Sequence, residues 1–303
     1  MLTQGAFNLL FRPGLRKDFR DTWTQFEPEY VNWLKTGKMD MPEISATIIT
    51  GMSRMYERGD GEPVNYEDPK IGPKVMGVDK EFALGFILTR RTVEDDQYGK
   101  ANQSSKWLAN AAKQTLEYRG AGFLDDAFSG SLYKGIDGLA LCHTAHTLIN
   151  STTTVANTPS SPVCLSVTGI TALLDLVQLM KDENGDPIKC DPKTLVISNT
   201  AGDYHRALQI FGSDKEPFTA DNQDNALKKR MGMPKIVISH YKTSAKSYFL
   251  IDDKLNDAWA LTRRALEFDD SFDFDTDAAK YKATMRTMNW FVDWRGWFGA
   301  NPS

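Results

Sequence analysis

Two stretches of this sequence hold residues that could do chemistry. The first is Cys142-His143-Thr144-Ala145-His146. A thiol and two imidazoles are ligands zinc prefers, but tetrahedral zinc needs a fourth, and none lies at a recognised spacing. A Cys–His nucleophile pair is the other chemistry on offer, and it depends on a contact that spacing does not specify. The window from 135 to 148 also has the composition of a structured loop between strands; that reading leads, with metal and thiol chemistry beside it. No catalytic, cofactor or metal residue is assigned. The second stretch, from Glu267 to Asp277, has six acids in eleven residues and no base. Oxygen ligands suit a hard cation, but Phe268, Phe272 and Phe274 interleave with the acids, and the D-x-D-x-D-G pattern is missing. A solvated edge strand or connector, kept unpaired by like charges, is the expectation. Neither G-x-x-x-x-G-K-S/T nor G-x-G-x-x-G follows a strand, so phosphate cradling has no support. Gly-x-Ser-x-Gly is absent too.

The elements that would position these residues begin with a bulk of 303 residues, 41% hydrophobic and 25% charged, which is a globular composition. A net charge of −4 and a pI near 5.7 exclude a chain whose affinity for nucleic acid rests on counterion release. No basic and apolar leader opens the sequence and no run reaches eighteen apolar residues, so a soluble cytoplasmic chain is expected. Cys142, Cys164 and Cys190 fit neither a disulfide framework nor a C-x-x-C pair, so reduced thiols are expected.

Residues 1–41 read as an arm. Arg12, Arg16, Lys17 and Arg20 interleave with Phe7, Leu10, Phe11 and Phe19, more aromatics than so short a segment can bury alone. The arm either packs on its own domain or reaches a neighbour. From 42 to 94, Ile44–Ile49 and the alternation of Phe82, Leu84, Phe86 and Leu88 predict two strands of an extended hairpin. Its tip, Glu57 to Lys74, is rich in Gly and Pro. A loop of that length without a core is usually functional. Asp95-Asp96 predict the cap of a helix running to about Arg119, stopped by Gly120 and Gly122; Ala101, Ser104, Leu108, Ala111, Ala112 and Thr115 form its narrow stripe of mainly small residues.

Residues 165–262 read as an inserted α/β unit. One helix carries Ile170, Leu173, Leu174, Val177 and Met180. A second, capped by Asn199 or Thr200, carries Tyr204, Ala207, Leu208 and Phe211. Leu195–Ile197, Ile236–Ile238, Tyr248–Ile251 and Trp259–Leu261 are its strands. The chain then closes on a long strand. Tyr281, Ala283 and Met285 share one face, and the apolar set moves to Met288, Trp290, Val292 and Trp294. That change of phase predicts a β-bulge near Arg286–Thr287, before the strand ends at Asp293-Trp294-Arg295-Gly296.

The order of these elements, with Gly138 to His146, Lys193–Ser198 and its helix, Asp221-Asn222-Gln223-Asp224-Asn225 with Leu227, and Lys282–Gly299, resembles the major capsid proteins of tailed bacteriophages, in the subgroup similar to Mu-type major head subunits. The similarity runs from about Glu81 onward; residues 1–80 match by arrangement only. The resemblance implies an α+β, Hong Kong ninety-seven-type capsid fold. It comprises an N-terminal arm (1–41), an extended β-hairpin loop (42–94), a peripheral domain with a long spine helix (95–164), an axial α/β domain (165–262) and a return strand of the peripheral domain (263–303). It implies a structural protein, not an enzyme, without cofactor. Copies would form pentamers and hexamers of an icosahedral shell enclosing double-stranded DNA, assembled in the host cytoplasm. Portal, cement and scaffolding proteins would be its partners, with scaffolding a separate chain, and it would make no membrane contact. Arg12, Arg16, Arg54, Glu57, Arg58, Arg90, Arg91, Asp293, Trp294 and Arg295 are the subunit-contact residues this reading singles out. Some family members crosslink through a lysine and an asparagine; no lysine here takes that role by spacing, so non-covalent stabilisation is expected. An encapsulin-like compartment shell shares the fold, and a Cys/His hydrolase is the alternative of a different class.

Overall fold

In the computed structural model, the strand β11 (Ala278–Phe291) is the spine of one sheet. It pairs antiparallel with β10 (Ala258–Asp273) on one side and with β4 (Lys80–Thr89) on the other, while the short β1 (Lys35–Lys38) runs parallel to the start of β10. The structure describes residues 4–89, 91–92, 99–200, 202–217, 223–273, 275–276 and 278–302, with side chains from residue 14 onward except those of 100 and 101. Asp95, Asp96, Arg90, Asp221 and Asn222 therefore lie outside the described residues, as does the side chain of Arg12.

Odd positions of β11 face two helices. The first is α1 (Gln4–Thr24) and the second the 27-residue α2 (Lys100–Asp126). Ala279 and Tyr281 pack with Leu15 and Leu88, and Ala283 packs with Phe19, Leu108 and Ala109. Even positions face the opposite way, where Met288, Trp290 and Val292 meet Met39, Leu261, Ile44, Ala46, Ile48 and Val75. The strand thus never changes phase: a second layer covers its other face from Met288 onward, and that is why even positions become apolar. The ladder is irregular where the bulge was expected, but the extra residues sit on β10. Thr262 pairs with Thr287, Arg264 with Arg286 and Glu267 with Thr284, so each step advances β10 by one residue more than β11. Beside β4, β11 runs in unbroken register.

The covering layer is a two-stranded ribbon, β2 (Glu43–Ile49) with β3 (Ile71–Val78). Ile44–Ile49 therefore pairs with β3, not with the stretch around Phe82–Leu88, which belongs to the central sheet. The expected tip, Glu57 to Lys74, was set too far along the chain and ran into β3, because Gly72 and Pro73 resemble a turn. Gly72 is instead a site of close approach: a Cβ there would lie 2.5 Å from Ile149 Cδ1 and 3.0 Å from the Ile48 carbonyl oxygen. The tip runs from Thr50 to Lys70, closed at its base by the Thr50 N–H donating to Lys70 O at 2.9 Å.

α2 starts after Gly99 (φ 66°) and continues through Gly120 and Gly122. Gly120 is there for space rather than as a stop: a Cβ would sit 2.3 Å from Tyr30 Cβ, and Trp33 Nε1 donates to the Gly120 carbonyl at 3.2 Å. The α1 helix lies along α2, with Leu15 and Phe19 buried and Ser105 Oγ donating to Leu15 O at 2.7 Å. Leu15 and Phe19 thus seat this part of the arm on its own chain.

The second sheet has the order β12-β9-β7-β8, namely Trp297–Ala300, Tyr248–Ile251, Thr194–Ser198 and Lys235–Ser239. Helices α3 (Val167–Gln178), α4 (Asp203–Gly212) and α5 (Ala226–Met231) accompany it. Two strands differ from expectation. Trp259–Leu261 opens β10 of the central sheet, and β12, beyond β11, crosses into the second sheet to pair with β9. Gly202 (φ 96°) is the N-cap of α4, while Thr200 Oγ1 donates to Ala245 O. One continuous core joins the two units, bringing Phe123, Leu124 and Trp33 together with Phe249, Phe291, Trp294 and Trp297.

Candidate functional site

The Cys/His window folds into a loop at the junction of the two sheets. His146 is fully buried, its Nδ1 2.5 Å from Asp137 Oδ2 and its Nε2 3.2 Å from Asn157 Oδ1. Asn157 fixes its own orientation by donating through Nδ2 to Leu141 O (2.7 Å) and Trp297 O (3.0 Å). Its Oδ1 also accepts from the His143 N–H at 2.8 Å. Both ring nitrogens of His146 therefore face acceptor oxygens, and neither is available to a metal or a thiol. His143 Nδ1 accepts from the Ala145 N–H at 3.1 Å, closing the turn. Cys142 is buried against the backbone of β12, its Sγ 2.7 Å from the place a Cβ on Gly299 would occupy. Burial pushes its thiol far above the ordinary range, so the thiolate needed for nucleophilic attack is suppressed. Among the described residues no group of three or more His, Cys, Asp or Glu side chains is placed to hold a metal ion. The window is a structural interlock.

The other half of that interlock is Trp294-Arg295. Arg295 is 5% exposed. It pairs with Glu183 (2.8 Å) and Asp293 (2.9 Å), and donates through Nε to Lys181 O (2.9 Å). Glu183 in turn accepts the Ile149 N–H at 2.8 Å. The guanidinium also lies over the Trp294 ring, 4.8 Å from its centroid. Trp294 and Arg295 are thus inside the chain rather than on a subunit surface, because a buried guanidinium must keep its carboxylates close.

A second cluster sets the root of the ribbon. Asp79 is the single residue between β3 and β4, and it is buried. Its carboxylate meets Arg286 Nε at 2.7 Å and Arg263 Nη1 at 3.4 Å. Arg263 lies where β10 carries its irregularity, so the bulge aims the guanidinium at the joint. Gly77 packs against Met288 and Trp290. Further out, Asn184 Nδ2 donates to Gly51 O (3.1 Å) and Arg54 pairs with Asp186 (2.9 Å), so the base of the tip rests on the turn beside Glu183.

Outward, the ribbon and its tip expose large apolar side chains among polar and charged ones. Ile49, Ile71, Met76 and Val78 line the ribbon's outer face, while Met52, Met55, Tyr56 and Tyr66 stand exposed on the tip, as do Glu57 and Arg58. Arg91 is exposed, Arg16 pairs with Asp270 at 3.0 Å, and Asp293 is half-buried against Arg295. A loop that exposes Met52, Met55, Tyr56, Val64 and Tyr66 with no core beneath them belongs against another surface.

The sequence model of the family described as phage capsid protein matches residues 78–300. The chain belongs to that family. Solved structures share its fold at low identity. The mature capsid of bacteriophage PhiM1 aligns over 92% of this chain and 88% of its own (10% identity, TM-score 0.60). The capsid of cyanophage P-SCSP1u aligns over 91% and 88% (12%, 0.59). The virus-like particle from Pyrococcus furiosus aligns over 96% and 99% (10%, 0.52). No curated protein matches by sequence. This phage capsid protein therefore has the Hong Kong ninety-seven-type fold and the role of a structural major capsid protein of a virion; neither the compartment-shell nor the hydrolase alternative is favoured. Sequence reasoning did not find Asp79, Arg263, Asn157 or Glu183. Asp79 in Gly77-Val78-Asp79-Lys80, a charge between two apolar strands, was the one available signal.

Proposed function

We propose that copies of this chain form pentamers and hexamers and close as an icosahedral shell around double-stranded DNA, without enzymatic activity. The observation that carries this reading is the ribbon and its Thr50–Lys70 tip, which spread exposed apolar side chains beyond the subunit's own core. Contacts of that kind are individually weak, and closed symmetry multiplies them. The acidic net charge suits a container whose contents are loaded and released without gripping the wall. Among the residues first singled out, Glu57 and Arg58 stay exposed on the tip, and Arg54 is exposed while paired to Asp186. A separate scaffolding chain, a portal and cement proteins are the proposed partners, with assembly in the host cytoplasm. No described helix is long and apolar enough to cross a membrane.

Electron microscopy and sedimentation of the purified chain, alone and with a scaffold, test the reading. Particles or capsomers are expected; a monomer at high concentration under both conditions would refute it. Replacing residues 51–69 by a short turn should leave a folded subunit that no longer closes shells.

A further inference from the structure

Between the ribbon, the C-terminal half of α2 and the 132–134 loop lies a cleft of about 250 Å³. Lys80, Arg119 and Lys134 line it, and its lining holds no carboxylate. Arg119 is held in place, its guanidinium 4.7 Å from the centroid of the Phe82 ring and its Nη1 donating to Thr287 O at 3.3 Å. Thr287 Oγ1, buried beside it, has no hydrogen-bond partner. Lys80 and Lys134 are exposed. Three cations lining one concavity suit a carboxylate-bearing segment.

The same subunit presents such a segment at the other end of its sheet. Asp269 and Asp275 are exposed on or beside the distal part of the β10–β11 hairpin, where Asp269 faces Lys282 in register and Asp273 is paired to Lys280 at 2.6 Å. The two surfaces cannot meet within one chain. Thr287 pairs with Lys80 at the cleft and Ala278 with Thr89 near the tip, in unbroken register, and those nine residue steps of paired strand span about 30 Å. Complementary patches at opposite ends of a rigid sheet make a head-to-tail contact, which closes only by rotation of one copy onto the next.

We infer that the cleft of Lys80, Arg119 and Lys134 takes the acidic hairpin tip of a second copy of this chain. The inference rests on the shell reading and names one of its contacts. Lys80→Glu with Lys134→Glu should reduce assembled particles at least tenfold, while circular dichroism of the unassembled subunit stays unchanged. Adding Asp269→Lys and Asp275→Lys to that variant should restore particles. The neutral pair Lys80→Gln with Lys134→Gln should assemble less and lose much of the wild-type salt dependence, because screened charges no longer contribute. Wild-type assembly undisturbed by the glutamate pair would overturn this inference alone. Assembly blocked by the glutamate pair, yet neither weakened nor rescued by the lysine pair, would place an acidic segment of some other chain in the cleft and overturn the second-copy occupant. A wild-type chain that forms no particles would sink the shell reading and this contact with it.

Discussion

The imidazole of His146 lies flat on the indole of Trp294, with ring centroids 3.8 Å apart and planes within 6°. That contact joins the Asp137 loop to the strand end that carries Arg295. The residues that most resembled a catalytic cluster are thereby committed to holding two units of the fold together.

His146→Ala should lower unfolding free energy by about 3–5 kcal/mol, since it leaves Asp137 buried without its partner. His146→Phe should fall between, because the ring contact survives while the polar pair is lost. Cys142→Ala should cost only about 1 kcal/mol and leave assembly intact. Urea denaturation of the three variants checks the order; a Cys142→Ala variant that assembles normally but loses an enzymatic activity would contradict the structural assignment.

Glu183→Ala should be as damaging as losing His146, by about 3–5 kcal/mol, because Arg295 would remain buried with only the half-buried Asp293 beside it. Glu183→Gln, which keeps a hydrogen-bond acceptor, should cost less. Thermal denaturation of the unassembled subunit separates the two.

At the root of the ribbon, Asp79→Asn removes the charge shared by Arg263 and Arg286 but keeps the side-chain shape. A loss of about 1–3 kcal/mol is expected. Limited proteolysis should cut between residues 50 and 78 faster than in the wild type, while fragments containing β10 and β11 persist, since the ribbon opens before the sheet. Equal cutting rates would show that the joint is held by packing alone.

Lys242 provides a pH dependence. Burial pushes its ammonium down to about 7, against the opposing pull of Asp125 and Asp203, and its Nζ donates to Ser247 O. In the unfolded chain the group stays protonated to about pH 10.4. Between those values the unfolded state binds the extra proton, so this group's contribution to stability rises with pH from about 7 to about 10. The slope is at most about 1.4 kcal/mol per pH unit. Lys242→Met should be the more stable form at pH 6–7, with the gap closing toward pH 10. A gap that stays constant with pH would mean the lysine titrates normally.

Much of the fold was legible because patterning is local. The small residues from Ser104 to Thr115 announced the spine helix, and the alternation around Tyr281 announced the return strand. What failed depended on contacts between distant segments. Gly120 looks like a stop until Tyr30 is placed against it, and Gly72-Pro73 looks like a turn until Ile149 fills the space. Met288 and Trp290 suggested an inserted residue because no single strand reveals that its second face has acquired a cover. The candidate site divided the same way. A structured loop was the leading reading of Cys142–His146, but the partner that decides it, Asn157, stands beyond any motif. Trp294 and Arg295 attracted notice as surface residues, since burial of a guanidinium follows from Glu183, more than a hundred residues upstream.

β11 and β12 complete sheets whose other strands lie earlier in the sequence. β4 has no described neighbour in its sheet until β11 emerges, and β9 lacks one of its two partners until β12 does. A chain without β11 and β12 would leave β4 with no described sheet neighbour and the inner face of the ribbon uncovered.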